Sequence, residues 1–198
     1  MGTALLNDDG SASMATALLC SHHAFRRDLA CFRRARTRDA AVLAEEWRRF
    51  RETLHHHHVA EDTGIFPSLR PRLGAALDRL EADHRAIDPL LERADDLSEL
   101  DALLAEHLEA EERLVIPYLR DAKEFPLPST DAVVAEYAAG FAWACAGISE
   151  RVLDALFAML PPALVVAIPA ARSVFDDRCR EVWGRAHEGT SLMSVPGE

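Results

Sequence analysis

The stretch LAEEWRRFRETLHHHHVAEDTGI, residues 43–65, decides the fold. Its inward positions recur at steps of three and four residues, which is the spacing of the core-facing stripe of an α-helix. The stripe consists of Leu43, Trp47, Phe50, Leu54, His57, Glu61 and Ile65. A histidine and a glutamate therefore occupy two consecutive core positions, where apolar side chains are the rule.

Three other segments show the same spacing and also place a histidine on the stripe. His22 interrupts the first, His84 the third, and His107 the fourth, where Glu111 follows one turn later. Ala, Leu, Glu and Arg dominate and strand-like alternation is absent, so the sequence predicts an all-α fold. Short connections favour an up-and-down antiparallel four-helix bundle. The helices are predicted near 14–36, 38–64, 71–95 and 98–122.

Proline positions set the predicted ends of several helices. Pro67 and Pro71 are predicted to bracket the turn between the second and third helices, because proline lacks a backbone N–H and breaks a helix interior. Beyond the bundle, one long helix is predicted over 131–160, where Pro161 stops it, and a last helix over about 170–186. These helices form an additional C-terminal helical segment.

Two regions follow from this pattern. Residues 14–122 are predicted to form the four-helix bundle, which ends at a linker containing Pro126 and Pro128. Residues 131–188 are predicted to form a helical C-terminal extension. The apolar face of this extension either packs on the bundle or forms an interface, such as that of a homodimer.

The composition excludes several classes of partner. Thirty-three acidic residues against 22 basic ones give a net charge of −11, which argues against nucleic acid and anionic membrane surfaces as partners. No apolar stretch approaches the roughly 20 residues of a membrane-spanning helix. The first residues lack the basic region of a signal peptide, so we expect a cytoplasmic protein.

The inward histidines and glutamates need partners that offset the free-energy cost of burying them. Burying a carboxylate or an unsatisfied imidazole costs several kcal/mol, and buried charges are either paired or bind metal. Lys123 is the single lysine of the chain, and no arginine interrupts the stripes near the histidine–glutamate pairs. A set of imidazoles and carboxylates without thiolates suits iron or manganese, and also zinc. Two glutamates able to bridge favour a dinuclear centre of the kind that four-helix bundles hold.

Residues at the edge of the stripes offer further ligands or supporting groups. The edge candidates are His58, Asp62, Asp88 and Glu112. His55 and His56 point away from the stripe in the same helical frame, and His23 lies on a more mixed face. We therefore expect these three histidines to contribute no ligand.

Four pieces of the sequence resemble the hemerythrin-like, or HHE cation-binding, family over residues 14–122. The pieces are HHAFRRDL (22–29), HHVAED (57–62), ADHRAI (82–87) and HLEAEE (107–112). The resemblance implies an up-and-down four-helix bundle that holds two non-haem iron ions, bridged by carboxylates and by an oxo or hydroxo group. The residues that it implies are His22, His57, His84 and His107 as ligands, with Glu61 and Glu111 as bridging carboxylates.

One departure from the family pattern concerns the third helix. Oxygen carriers of this family have a second histidine four residues away from the first, and here that position is Leu80. A coordination position is then open, or filled by water, His58 or a nearby carboxylate. Three function classes follow: a di-iron protein that binds or senses dioxygen, nitric oxide or iron; a di-iron enzyme acting on peroxide or oxygen, catalase-like or an oxidase; and a metal-free helical interaction module.

Overall fold

The regular structure of the chain is helical. The computed structural model describes residues 3–35, 40–93 and 97–184, and no strand occurs among them, which confirms the all-α prediction. One segment, Glu61–Ile65, is a π-helix. The α-helices are α1 (Met14–Arg34), α2 (Ala40–Ala60), α3 (Phe66–Leu73), α4 (Ala75–Leu91), α5 (Ser98–Leu114), α6 (Ile116–Leu119), α7 (Asp131–Ala144), α8 (Glu150–Phe157) and α9 (Pro162–Trp183).

The described residues divide into two compact units. One unit comes from residues 1–27 together with 119–198, and the other from residues 28–118. Helix α1 begins in the first unit and ends in the second. The domain ranges 14–122 and 131–188, like the up-and-down helix order, stay predictions. The predicted helix ends at 36, 38, 95 and 186 lie outside the described residues.

Within the unit of residues 28–118, aromatic contacts join the end of α1 to α2. The Phe32 ring meets Trp47 edge-on at 5.0 Å and Phe50 at 5.7 Å between ring centroids. The indole N–H of Trp47 donates to the carbonyl oxygen of Leu91 at 3.1 Å, which fixes α2 against the end of α4. Helix α4 in turn packs against α5. These contacts hold together the helices that carry most of the inward histidines.

The predicted turn between the second and third helices was placed too early. The chain stays helical through Pro67 and Pro71, and α3 ends only at Gly74, whose φ of +52° is left-handed. Pro67 lies in the first turn of α3, a position where proline is tolerated. Helices very commonly end at a glycine with a positive φ. Gly74, and not the two prolines, therefore ends this run of helix.

The predicted long helix over 131–160 is also wrong, because the chain forms two helices, α7 and α8, with a break at 145–149. Gly147 sits in this break with a φ of +85°. The guanidinium of Arg27 donates to the carbonyl oxygens of Trp143 at 3.0 Å and Ala146 at 2.9 Å. A charged donor thus binds two carbonyls at the end of α7, and this stabilises the break.

The last helix begins eight residues earlier than predicted. Helix α9 starts at Pro162, which is tolerated in a first turn, and continues through Pro169. It packs against α7, and the core of this unit contains the fully buried Leu156 and Leu164. Across the helices of the described ranges, none is long and apolar enough to cross a membrane.

Candidate metal centre

A π-helical turn places the first glutamate of the centre. The backbone N–H of Phe66 donates to the carbonyl oxygen of Glu61, five residues earlier, which is the π-helical bond. Pro67 has no N–H and so cannot give the α-helical bond to the carbonyl of Thr63. The sequence therefore disfavours a regular α-helix immediately after Glu61. Such π-helical turns are rare and occur frequently at functional sites.

One group of possible ligands consists of His57, Glu61 and Glu111. Each residue offers one ligand atom, and these atoms lie within 4.8 Å of one another. Nε2 of His57 lies 2.8 Å from Oε1 of Glu61. Both glutamates are fully buried, with 1% and 0% of the residue exposed. Two buried carboxylates this close repel each other unless a cation lies between them.

A second group consists of three buried histidines, His58, His84 and His107. Their ligand atoms also lie within 4.8 Å of one another. The rings of His58 and His84 stack with centroids 4.0 Å apart and an angle of 10° between their planes. The ring of His107 meets that of His84 edge-on at 4.7 Å. Three imidazoles converging on one point are a common way for a protein to hold a transition metal.

The two glutamates connect the groups. Glu61 directs Oε1 to His57, while its Oε2 lies 3.5 Å from Nε2 of His84. Glu111 behaves similarly, because its Oε2 lies 4.0 Å from Nε2 of His107. Each carboxylate belongs to the first group and approaches a histidine of the second. This is the disposition that a carboxylate needs to bridge two ions.

Carboxylates also lie on the far side of two of the rings. Nδ1 of His84 is 3.0 Å from Oδ1 of Asp62, and Nδ1 of His107 is 3.8 Å from Oδ2 of Asp83. A proton on Nδ1 of His84 donates to Asp62 and leaves Nε2 with a lone pair directed at Glu61. Carboxylates in this position orient metal-binding histidines and raise their basicity.

Burial sets the protonation of the centre. It lowers the pKa of His84 from 6.5 to about 4, although the negative charge of Glu111 opposes the shift. Near neutral pH the ring is therefore the neutral imidazole, which is the form that binds metal. Burial also raises the pKa of Asp62, and the negative charge of Glu81 adds to this effect.

The structure brings five of the six predicted ligands together in the unit of residues 28–118. They are His57, Glu61, His84, His107 and Glu111. The sixth, His22, is fully buried in α1, within the part of that helix that belongs to the other compact unit. His55 and His56 are exposed, as the helical frame predicts.

His58 is the main residue whose position the sequence misjudged. It was expected at the edge of the core, yet only 3% of it is exposed and it belongs to the group of three histidines. Among the described residues, neither group contains Asp88 or Glu112, and Asp88 is exposed. Leu80, at the position of the missing histidine, is fully buried.

Asp83 lies beside His107 without having been singled out in the sequence. The two residues belong to different helices, α4 and α5, so helical spacing carries no signal of their proximity. Asp62 had such a signal, because it follows His58 by four residues. Its contact, however, is with His84.

The comparison with protein families supports a cation site. The family model of the hemerythrin HHE cation binding domain matches residues 13–99, which confirms the resemblance predicted from the sequence. The match covers 87 of the 198 residues and ends before His107 and Glu111. No curated protein and no solved structure matches the chain.

Proposed function

We propose that this chain, with its match to a cation-binding domain over residues 13–99, is a non-haem di-iron protein that binds or senses dioxygen or nitric oxide. The observation that carries the proposal is the position of Glu61. Its two carboxylate oxygens lie near histidines of two different groups, 2.8 Å from His57 and 3.5 Å from His84. A carboxylate between two sets of imidazoles is suited to two ions better than to one.

The residues divide naturally between two ions. His58, His84 and His107 would hold one, and His57 would hold the other together with His22, which the stripe of the first helix predicts. Glu61 and Glu111 would lie between the two ions. The donors are imidazoles and carboxylates without a thiolate, a set that suits iron. Two anionic carboxylates also offset part of the positive charge that the ions bring into the core.

The burial of the candidate ligand residues favours a small molecule as the ligand of the centre. Glu61, His107 and Glu111 are each at most 1% exposed, so a bulky substrate has no access to them. Ferrous ions held by these imidazoles and carboxylates would supply electrons and coordination positions to a small ligand such as dioxygen or nitric oxide. The chain's own part is to hold the imidazoles, to keep His84 neutral and to limit the entry of water. Phe66, which is fully buried and stacks on His84 with centroids 5.6 Å apart, covers one ring of the site.

The test is a titration with nitric oxide. Protein expressed in iron-rich medium is reduced without oxygen, and its absorption spectrum is recorded as nitric oxide is added. We expect a saturable spectral change in the unmodified protein and in His55→Ala, because His55 is exposed. Glu61→Ala should lose both its iron and this change.

Three outcomes would overturn the proposal. An iron-loaded protein whose spectrum does not respond to nitric oxide or dioxygen would remove the ligand-binding function. Sustained turnover of peroxide by the same protein would assign it to the enzyme class instead. A folded protein that takes up no metal would leave the helical interaction module as the function.

A further inference from the structure

Two thiols meet in the unit formed by residues 1–27 and 119–198. Cys20 lies in α1, and Cys145 follows the last residue of α7. The two side chains are joined by a hydrogen bond, and they are 1% and 5% exposed. They are 125 positions apart in the sequence, so the fold alone brings them together. Both belong to the apolar core cluster of this unit.

Positive charges lie around Cys145. The buried guanidinium of Arg27 donates to the carbonyls on both sides of it, Trp143 at 3.0 Å and Ala146 at 2.9 Å. The hydrogen bond from Cys20, and then the charges of Arg172 and Arg27, lower the pKa of the Cys145 thiol although burial opposes the shift. Cys145 is thus the more nucleophilic sulfur of the two.

Cys145 lies close to an exposed part of the chain. The turn after α7 carries it, and Gly147, two residues further on, is exposed and left-handed with a φ of +85°. A glycine there has no side chain to cover the turn. Hydrogen peroxide is close to water in size, so it needs only a small opening of this turn to reach the sulfur.

We propose that Cys20 and Cys145 are a peroxide-sensitive dithiol that closes reversibly into a disulfide. The thiolate of Cys145 attacks one oxygen of the peroxide, the O–O bond breaks, and the second oxygen leaves as hydroxide and is protonated to water. The sulfur of Cys20 then attacks the resulting sulfenic sulfur, the S–O bond breaks, and the proton of Cys20 leaves in a second water. The two thiols are oxidised by two electrons in total, and the peroxide is reduced to two waters. A thiol reductant reverses the reaction.

The bond would tie α1 to the turn between α7 and α8. Cys20 lies two residues before His22 on the same helix, so the crosslink would restrain the segment that carries the predicted ligand. The inference does not rest on the metal site, because both sulfurs and both arginines belong to the other compact unit.

The experiment is disulfide mapping on the full-length, folded protein. The chain is treated with a small excess of hydrogen peroxide, remaining thiols are alkylated, and the peptides are identified by mass spectrometry. We expect the number of free thiols to fall from four to two, with one linked peptide that joins Cys20 to Cys145. Dithiothreitol should restore all four.

Matched variants separate this pair from general oxidation of buried thiols. Cys31 and Cys179 are 6% and 7% exposed, so they are buried to a similar degree. A Cys31→Ser/Cys179→Ser variant should still form the link, whereas Cys145→Ser should form none. The proposal is overturned if peroxide leaves all four thiols of the unmodified protein free, if the linked peptides join other cysteines, or if Cys145 is oxidised to sulfinic acid without linking to Cys20.

Discussion

The region around the ligand groups and the C-terminal helices bury different kinds of side chain. In residues 28–118, the buried side chains include three histidines and two glutamates close to one another, whereas the described part of 119–198 buries no polar or charged residue. Apolar burial stabilises by about 25 cal/mol per Å², and a buried carboxylate costs several kcal/mol unless it is paired. The C-terminal helices therefore have a core that stabilises them, while the other unit has a core whose stability depends on what its ligand groups bind.

This difference predicts that metal binding depends mainly on the ligand groups of residues 28–118, whereas the free energy of unfolding depends mainly on the apolar core of α7–α9. Substitutions in the ligand groups should change metal content first, and substitutions in the apolar core of α7–α9 should change the free energy of unfolding first. The first kind removes donors, and the second leaves cavities. This prediction is wrong if both kinds of substitution change metal content and the free energy of unfolding to the same extent.

The largest effect is expected from the α5 ligands. His107→Ala and Glu111→Ala should each lose most of the bound metal, because removing one donor leaves the others with an incomplete set and a buried charge. Elemental analysis of the purified variants measures this. Glu106→Ala is the matched control, since Glu106 lies exposed on the same helix. Equal metal loss in all three variants would contradict the placement of the stripe.

Substitution of His58 tests whether this residue fills the coordination position that the missing histidine would otherwise leave open. His58→Ala should lose about half of the metal, because His58 belongs to one of the two groups of possible ligands. His56→Ala should retain the metal, since His56 is exposed two residues earlier in α2. If His58→Ala retains both ions with an unchanged absorption spectrum, then water or a carboxylate, and not His58, fills the coordination position for which this chain has Leu80 in place of a histidine.

A substitution in the apolar core of α7–α9 should change the free energy of unfolding and leave metal binding unchanged. Leu156→Ala, at a fully buried position of α8, should lower the free energy of unfolding by about 2–5 kcal/mol. Its metal content per folded chain should not change. Leu127→Ala, at a residue that is 82% exposed, should stay within about 0.5 kcal/mol of the unmodified protein. Urea denaturation followed by circular dichroism measures both values.

A smaller effect is expected from the carboxylate behind His84. Asp62→Ala should weaken metal binding by about tenfold to 100-fold without abolishing it, because the acceptor for Nδ1 is lost while every ligand remains. A competition assay with a chelator gives the affinity. Asp88→Ala serves as the control, since Asp88 is exposed and belongs to neither ligand group. Equal affinities in the two variants would remove the orienting role of Asp62.

Helical spacing predicted the periodic features of the molecule, which are the helices and the side chains that face the core. The predicted third and fourth helices overlap α4 and α5, and the inward positions of His84, His107 and Glu111 followed directly from steps of three and four residues. The helix breaks were harder to predict. Their causes are a left-handed Gly74 in one place and the hydrogen bonds of Arg27 to distant carbonyls in the other, and neither is a periodic feature.

The parts of the site that the sequence missed are contacts between helices. His57 and His58 are adjacent, about 100° apart around α2, so one stripe cannot include both, yet both rings approach the glutamates or histidines of the centre. Asp83 reaches His107 across two helices. Such positions depend on how the helices pack, which a single sequence does not encode in its spacing.

The most direct test of the central claim is the amount of metal in each chain. Protein expressed in iron-rich medium and purified without a metal-affinity column is analysed for iron, manganese and zinc against its concentration by amino-acid analysis. We predict about two metal ions per chain, mainly iron, because the two oxygens of Glu61 approach histidines of two different groups of possible ligands. One ion per chain, or zinc alone after iron loading, would contradict the dinuclear iron centre.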